Sequence, residues 1–331
     1  MALDTWRYAN TYEWMERTRS GGLGPVIVTC ALNGGVQGKE ANAALPETAD
    51  EIAQAAYDAY NAGAAAVHIH GRDPSNLSET TMNPEIMLEI NAAVRERCPD
   101  LIINNTTGGG PSTTMDDRFN GLRVRPELAS LNMGPDMSRF VVRARPAEIG
   151  HGHDGFVYDG CIPFTYGIIA GLAASMLEHD VKPELEIYQP GQYWATQHLI
   201  SEGLIKPPYF HQFVMGYQTS SYPTLENLTA LVRELPSDSV FSVCGIGQFQ
   251  LPMTTASILL GGHIRVGLED NVYYSRGRKL TGNGEAVERA VRIVGELNRE
   301  VATPAQAREI LGISPTPRDY GALAVAAGEA A

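Results

Sequence analysis

The sequence predicts an α/β fold, a (β/α)8 TIM barrel, from three observations. Short apolar segments alternate with amphipathic ones along most of the chain, the apolar segments number eight, and no GxGxxG fingerprint follows the first of them. An open doubly wound sheet is the alternative, and the missing fingerprint counts against it. The 331 residues suit one large barrel with extensions.

PVIVTCAL at 25–32 reads as the first buried strand. TADEIAQAAYDAYNAG at 48–63 follows as an amphipathic helix, with Thr48 as its N-cap and Gly63 as its stop. AAVHIH (65–70) is the second strand, NPEIMLEINAAVRERC (83–98) a helix, LIINNT (101–106) the third strand and LASLNMG (128–134) the fourth. A helix at 165–180, a strand ELEIYQ at 184–189, a helix at 193–203 and a strand at 209–216 come next. A helix at 224–235, a strand at 240–247, a helix at 253–262, HIRVGLED as the eighth strand at 263–270 and a helix at 285–300 complete the pattern. This reading makes 25–300 the catalytic domain, 1–24 an N-terminal extension, 138–164 a Gly-rich insertion after the fourth strand, and 301–331 a C-terminal extension. Such additions commonly serve oligomer contacts or lids.

A hydrophobic fraction of 44% with 19% charged residues fits a soluble globular protein. No apolar run is long enough to span a bilayer, and the N-terminal segment lacks the apolar stretch of a signal peptide. Four cysteines without a CxxC pair point to a reducing cytoplasm. A net charge of −13 argues against nonspecific nucleic-acid binding but leaves room for an anionic small substrate at a locally positive mouth.

Barrel enzymes work at the C-terminal ends of their strands, which filters the residues that could carry chemistry. His68 and His70 lie two apart at the end of the second strand, so both face one side and offer half a metal site; a hydrogen-bonded core pair is the plainer reading. Arg265, Gly267 and Glu269 share one face of the eighth strand, with Val266, Leu268 and Asp270 on the other, until the strand gives way to its loop. The second and eighth strands both neighbour the first, so Glu269 can supply a third ligand. A His2Glu set with an open position describes catalytic zinc. Asp270 is either a general base or a loop cap. NNTTGGG at 104–110 offers the hydroxyls of Thr106 and Thr107 and glycine N–H groups to an anion, or is a plain turn. A second H-x-H, His151 and His153, lies between glycines in the insertion and reads as solvated; His211 and His263 are weak candidates, His263 being at the wrong end of its strand. Cys30 and Cys244 could line a pocket, with buried structural cysteine as the default. Arg72, Arg276, Arg278 and Lys279 could meet the phosphates of a large anionic cosubstrate, or form a solvated charge run.

Several of these segments together resemble the β-keto acid cleavage enzymes. The resemblance rests on TCALNG, AGAAAVHIHGRD, NNTTGG, SLNMG, PELEIY and GGHIRVGLEDN, in family order from about residue 25 to 290. It implies a TIM barrel, bound zinc and a homotetramer. The reaction implied joins a β-keto acid with acetyl-CoA and then cleaves the adduct to acetoacetate and a new acyl-CoA. The zinc ligands implied are His68, His70 and Glu269; the arginine and catalytic aspartate fall on Arg265 and Asp270. The family's serine falls on Thr106, a conservative change that keeps a hydroxyl. Thr107, Gly108, Gly109 and Asn132 are implied to contact the substrate. Members that cleave an aminohexanoate carry a glutamate just after the first strand, where this chain has Val36 with Gln37 beside it, so a neutral or hydroxylated β-keto acid is expected.

Two rival classes stay open at this point. An amidohydrolase-type metal hydrolase also uses an H-x-H strand in a barrel, but expects it on the first strand and a histidine on the fifth, and ELEIYQ has none. A noncatalytic metal- or ligand-binding protein would instead close its metal site with a fourth ligand.

Overall fold

The computed structural model describes residues 12, 15, 16, 19 and 22–321. Most of the 1–24 extension and the end of the C-terminal one lie outside the described residues. Eight parallel strands close into a barrel: β1 (Val28–Ala31), β2 (Ala66–Ile69), β5 (Ile102–Asn105), β6 (Leu128–Asn132), β9 (Lys182–Ile187), β10 (Tyr209–Met215), β11 (Ser239–Gly245) and β12 (His263–Val266). β1 pairs with both β2 and β12, which closes the ring and stands their C-terminal ends side by side. The predicted barrel is therefore the observed fold. Six further strands form three antiparallel hairpins: β3 (Gly71–Asp73) with β4 (Asn76–Thr81), β7 (Asp136–Val142) with β8 (Phe156–Ile162), and β13 (Tyr273–Ser275) with β14 (Arg278–Lys279).

The connecting helices start where their caps place them. In α1 (Ala49–Asn61) Thr48 and Glu51 form a reciprocal capping box, and Gly63 turns the chain at φ +110°. In α2 (Pro84–Arg97) the Asn83 side chain accepts from Glu85 N–H, and proline occupies the first turn. α3 (Met115–Gly121) is a short helix in a stretch that shows no clear helical period, and it begins at a Thr114/Asp117 capping box. α4 (Tyr166–Glu178), α5 (Tyr193–Ser201), α6 (Leu225–Arg233), α7 (Gln250–Leu259) and α8 (Asn283–Glu296) complete the ring. The strands are buried on both faces; their outward side chains are mainly apolar, whereas inward ones include His68, Asn104, Glu184 and Arg265. Their outward side chains pack against the helices in two large clusters, around Val28, Ile69 and Val287 and around Leu131, Leu172 and Phe213.

Beyond α8 the chain returns along the barrel floor. Val301 bridges to Val26, and α9 (Pro304–Leu311) packs Ala307 and Leu311 against Ile27, Ile102 and Phe210. Among the described residues no helix is long and apolar enough to cross a membrane.

Two expectations need correction. The stretch 138–164 is not a loose insertion. Twelve of its residues, with Asp136 and Met137 just before it, form β7 and β8, paired from Asp136↔Ile162 to Val142↔Phe156. Three of its glycines, Gly150, Gly152 and Gly155, lie in the connection between the strands, and Gly160 lies in β8. The eighth barrel strand is also shorter than 263–270: it ends at Val266, because Gly267 adopts φ +137° and turns the chain.

Candidate active site

The mouth of the barrel opens into a cavity of about 500 Å3. At its base the Nε2 atoms of His68 and His70 lie 3.4 Å apart, and Glu269 Oε1 is 3.4 Å from His70 Nε2 and 3.8 Å from His68 Nε2. One ligand atom from each of the three lies within 4.8 Å of the others, so these residues could hold a metal ion. The donor chemistry fits. Burial pushes His68 down to about 3, so it is a neutral imidazole with a free lone pair. Among the described residues the buried Glu269 Oε2 has no hydrogen-bond partner, which is costly unless something else satisfies it. Glu269 itself stays ionised. Burial would raise it, but Arg265 and the two imidazoles outweigh burial and hold it well below the usual carboxylate range.

Gly267 is what brings the acidic pair here. In a continuing strand Glu269 and Asp270 would face opposite sides of the sheet. The turn at Gly267 sends both back toward Arg265. A side chain at that position would meet the Ala31 carbonyl oxygen at 2.1 Å, so only glycine fits. The turn is pinned by Leu268 N–H to Asn283 and by Gly247 N–H to the Asp270 carbonyl. Arg265 then donates bidentately to Asp270, through Nε at 3.0 Å and Nη2 at 2.9 Å, and through Nη2 to Glu269 at 2.5 Å. Asp270 is buried, and burial raises its carboxyl above the ordinary value even with Arg265 in place.

Thr106 lines the cavity and its hydroxyl accepts from Gly108 N–H at 2.9 Å, which folds the TTGG turn over itself. Gly108, Gly109 and Asn132 line the cavity as well. Thr107 does not. Its hydroxyl donates to the Ser130 carbonyl at 2.6 Å, and its N–H is bonded to Ser130 Oγ. The turn rests on buried Arg118, which donates to the carbonyls of Thr107 and Gly108 and lies over the Phe164 ring.

The other singled-out residues stay apart from this site. His151 Nδ1 accepts from Leu77 N–H, and His153 contacts the neighbouring Asp154 carbonyl. His263 Nδ1 accepts from Ile27 N–H on the floor, and His211 is bonded to the Tyr209 carbonyl. Cys244 lines the cavity, whereas Cys30 is bonded to Asn283. The structure does not gather the basic residues for a phosphate. Arg72 is buried and donates to the carbonyls of Gly34 and Gln37, Lys279 to that of Ala41, and Arg278 pairs with Glu285.

Sequence reasoning gives no role to Glu184 and Glu186. Both project into the barrel from β9. Glu184 accepts from Asn104 at 2.7 Å, and Glu186 lines the cavity 3.7 Å from Arg265. Burial pushes Glu186 up to about 8. Two glutamates of equal parity inside an otherwise apolar strand are the signal that could have found them. The inner face of the β7–β8 hairpin is a second addition: Ser138, Phe140 and Tyr158 line the cavity, the two rings stacked at 4.9 Å.

The model of the beta-keto acid cleavage enzyme family matches residues 25–313. Among curated relatives, the 3-keto-5-aminohexanoate cleavage enzyme of Acetoanaerobium sticklandii is 37% identical over 289 residues, covering 87% of this chain and 98% of its own. The 3,5-dioxohexanoate:acetyl-CoA acetone transferase of Paraburkholderia graminis is 31% identical over 298 residues, 86% of this chain and 95% of its own. Among solved structures, apo ObcA superposes with a TM-score of 0.64 at 20% identity, over 81% of this chain and 65% of that one, a likeness of fold alone. A family match that spans the whole barrel joins the site's His-His-Glu cluster and its arginine-held aspartate: this chain belongs to the beta-keto acid cleavage enzyme family.

Proposed function

We propose that the protein is a zinc-dependent enzyme that converts a β-keto acid and acetyl-CoA to acetoacetate and a new acyl-CoA, with His68, His70 and Glu269 as the zinc ligands. The observation that carries this reading is the convergence of those three side chains on one point, with Asp270 held beside them by Arg265. Two imidazoles and one carboxylate form the ligand set of catalytic zinc, with room for a substrate. Bound there, zinc would supply Lewis acidity toward the keto and carboxylate oxygens of the β-keto acid.

Asp270 is the base. Its carboxylate takes a proton from the C2 methylene of the substrate, and its burial favours the protonated state that results. Arg265 fixes both carboxylate oxygens, so the base cannot rotate away from the cavity. Thr106 shapes the turn that faces the substrate, and Asn132 offers its side-chain amide from the end of β6.

The tail of the β-keto acid is neutral or hydroxylated in this reading. Val36 and Gln37 line the cavity, and neither carries a charge. The acids that remain are engaged: Glu186, Glu269 and Asp270 face Arg265, and Asp136 accepts from Thr219. The reading includes a cytoplasmic homotetramer, as the family resemblance implies.

The test is a metal analysis of the purified protein together with a panel of β-keto acids plus acetyl-CoA, scored for acetoacetate. Bound zinc and acetoacetate release from a neutral substrate are expected. Acetoacetate formation that survives complete metal removal would sink the zinc assignment, and strong preference for a 5-amino substrate would sink the neutral tail.

A further inference from the structure

The segment after β1, residues 34–38, runs close to Glu269, His70 and Gly109. A side chain on Gly34 would meet Glu269 Cγ at 2.8 Å; one on Gly35 would meet the Gly109 carbonyl oxygen at 2.1 Å and His70 Nδ1 at 3.2 Å. Val36 and Gln37 form one wall of the cavity, and Phe140, Arg143 and Tyr158 of the β7–β8 hairpin form another. These walls are more than a hundred residues apart in sequence, and the segments that carry them meet in one buried charge cluster.

Arg145, just past the end of β7, is the centre of that cluster. Its side chain is fully buried. It donates to Glu47 through Nη1 at 2.7 Å and Nη2 at 2.8 Å, and to Glu40 through Nη1 at 3.0 Å. On the hairpin side its Nε donates to the Gly150 carbonyl at 2.6 Å and its Nη2 to the Ile149 carbonyl at 3.0 Å. On the loop side the same two glutamates accept backbone N–H groups: Gly38 donates to Glu40 at 2.6 Å and Lys39 to Glu47 at 2.9 Å. Gly38 has no room for a side chain, because one would lie 2.3 Å from Glu47 and 2.7 Å from Arg145. All five Arg145 bonds are thus divided between the two walls.

We propose that Arg145 is a positioning residue for substrate selection: with Glu40 and Glu47 it fixes the hairpin against the loop after β1, and so sets the gap into which the tail of the β-keto acid fits. A guanidinium suits this task, since its planar fork spans several acceptors in fixed directions where an ammonium on a flexible stem cannot. Arg145 touches neither the metal-binding residues nor Asp270. Its loss changes recognition of the tail while the chemistry at the metal and base is kept. The inference rests on the proposed function for its kinetic reading and is independent of it for its structural one.

The experiment compares wild type, Arg145→Lys, Arg145→Met and the double variant Arg145→Met/Glu47→Met, which removes the buried charge of Glu47 along with its partner. Kinetics are measured with 3-oxopentanoate and with 3-oxooctanoate, beside zinc content and hydrogen exchange. In Arg145→Met, KM for the longer acid rises about tenfold and that for the shorter one much less, with kcat within about twofold. Zinc content stays at the wild-type level, and Arg145→Lys recovers part of the loss. Amides of 34–39 and of 149–156 exchange faster together, with substrate absent. If Arg145→Met does not fold, the double variant carries the same comparison. Equal KM changes for both acids, or faster exchange in the hairpin alone, would overturn the proposal. Failure of the wild type to turn over any β-keto acid would instead refute the proposed function, and the exchange data would still decide whether the two walls are coupled.

Discussion

The chain contains two H-x-H segments, and the structure treats them in opposite ways. His68 and His70 end a buried barrel strand, with their Nε2 atoms facing each other and a carboxylate close to both. His151 and His153 sit in the connection of an outer hairpin, His151 at φ +51°, and each is engaged with nearby backbone. The spelling is the same. The difference is backbone: two-residue spacing brings side chains together only where the chain is extended, and a ligand pair becomes a site only where a third element supplies the rest.

The contrast can be broken most severely at His70. His70→Ala is expected to lose bound metal and bring turnover to background, checked by metal analysis and the acetoacetate assay. Asp270→Asn separates metal from base: metal content is unchanged while kcat falls by roughly 10²–10⁴. An Asp270→Asn enzyme at wild-type rate would refute the base assignment. Gly267→Ala tests the turn that carries the acidic pair. The Cβ has no space beside Ala31, so a stability loss of about 1–3 kcal/mol is expected in denaturant unfolding, with weakened metal retention. Val36→Glu adds the charge that the tail wall lacks, and about a fivefold shift in kcat/KM toward a 5-amino substrate is expected. The smallest effect belongs to the second H-x-H: His151→Ala/His153→Ala leaves metal content and kcat within about twofold. Loss of metal in that variant would erase the contrast.

The barrel was legible in the sequence because its strands are short, buried and regularly interleaved with helices that carry their own caps, as at Thr48, Asn83 and Thr224. The metal cluster was legible from the parity of His68 and His70 together with the adjacency of the second and eighth strands to the first. Parity failed on the eighth strand. It put Glu269 and Asp270 on opposite faces, because a strand rule cannot see that Gly267 leaves the strand. The hairpin of β7 and β8 was hidden for another reason: its outer residues Met137 and Val141 are about 70% exposed, so it shows no clean alternation of apolar and polar residues. Glu184 and Glu186 were overlooked because buried acids are rare enough to be read past, although rarity is what marks them.

The turn at Gly267 has one more consequence. It places the proposed metal ligand Glu269 and the proposed base Asp270 on consecutive residues of a single short backbone segment, so neither can drift without carrying the other along. A backbone change that shifts this segment therefore disturbs both at once, whereas a side-chain change such as Asp270→Asn alters only its own. The walls proposed to meet the substrate's tail lie on other segments altogether, the stretch after β1 and the β7–β8 hairpin. On that reading new substrates can be acquired there, by changes such as the one at Val36, while the segment from Arg265 to Asp270 is left untouched.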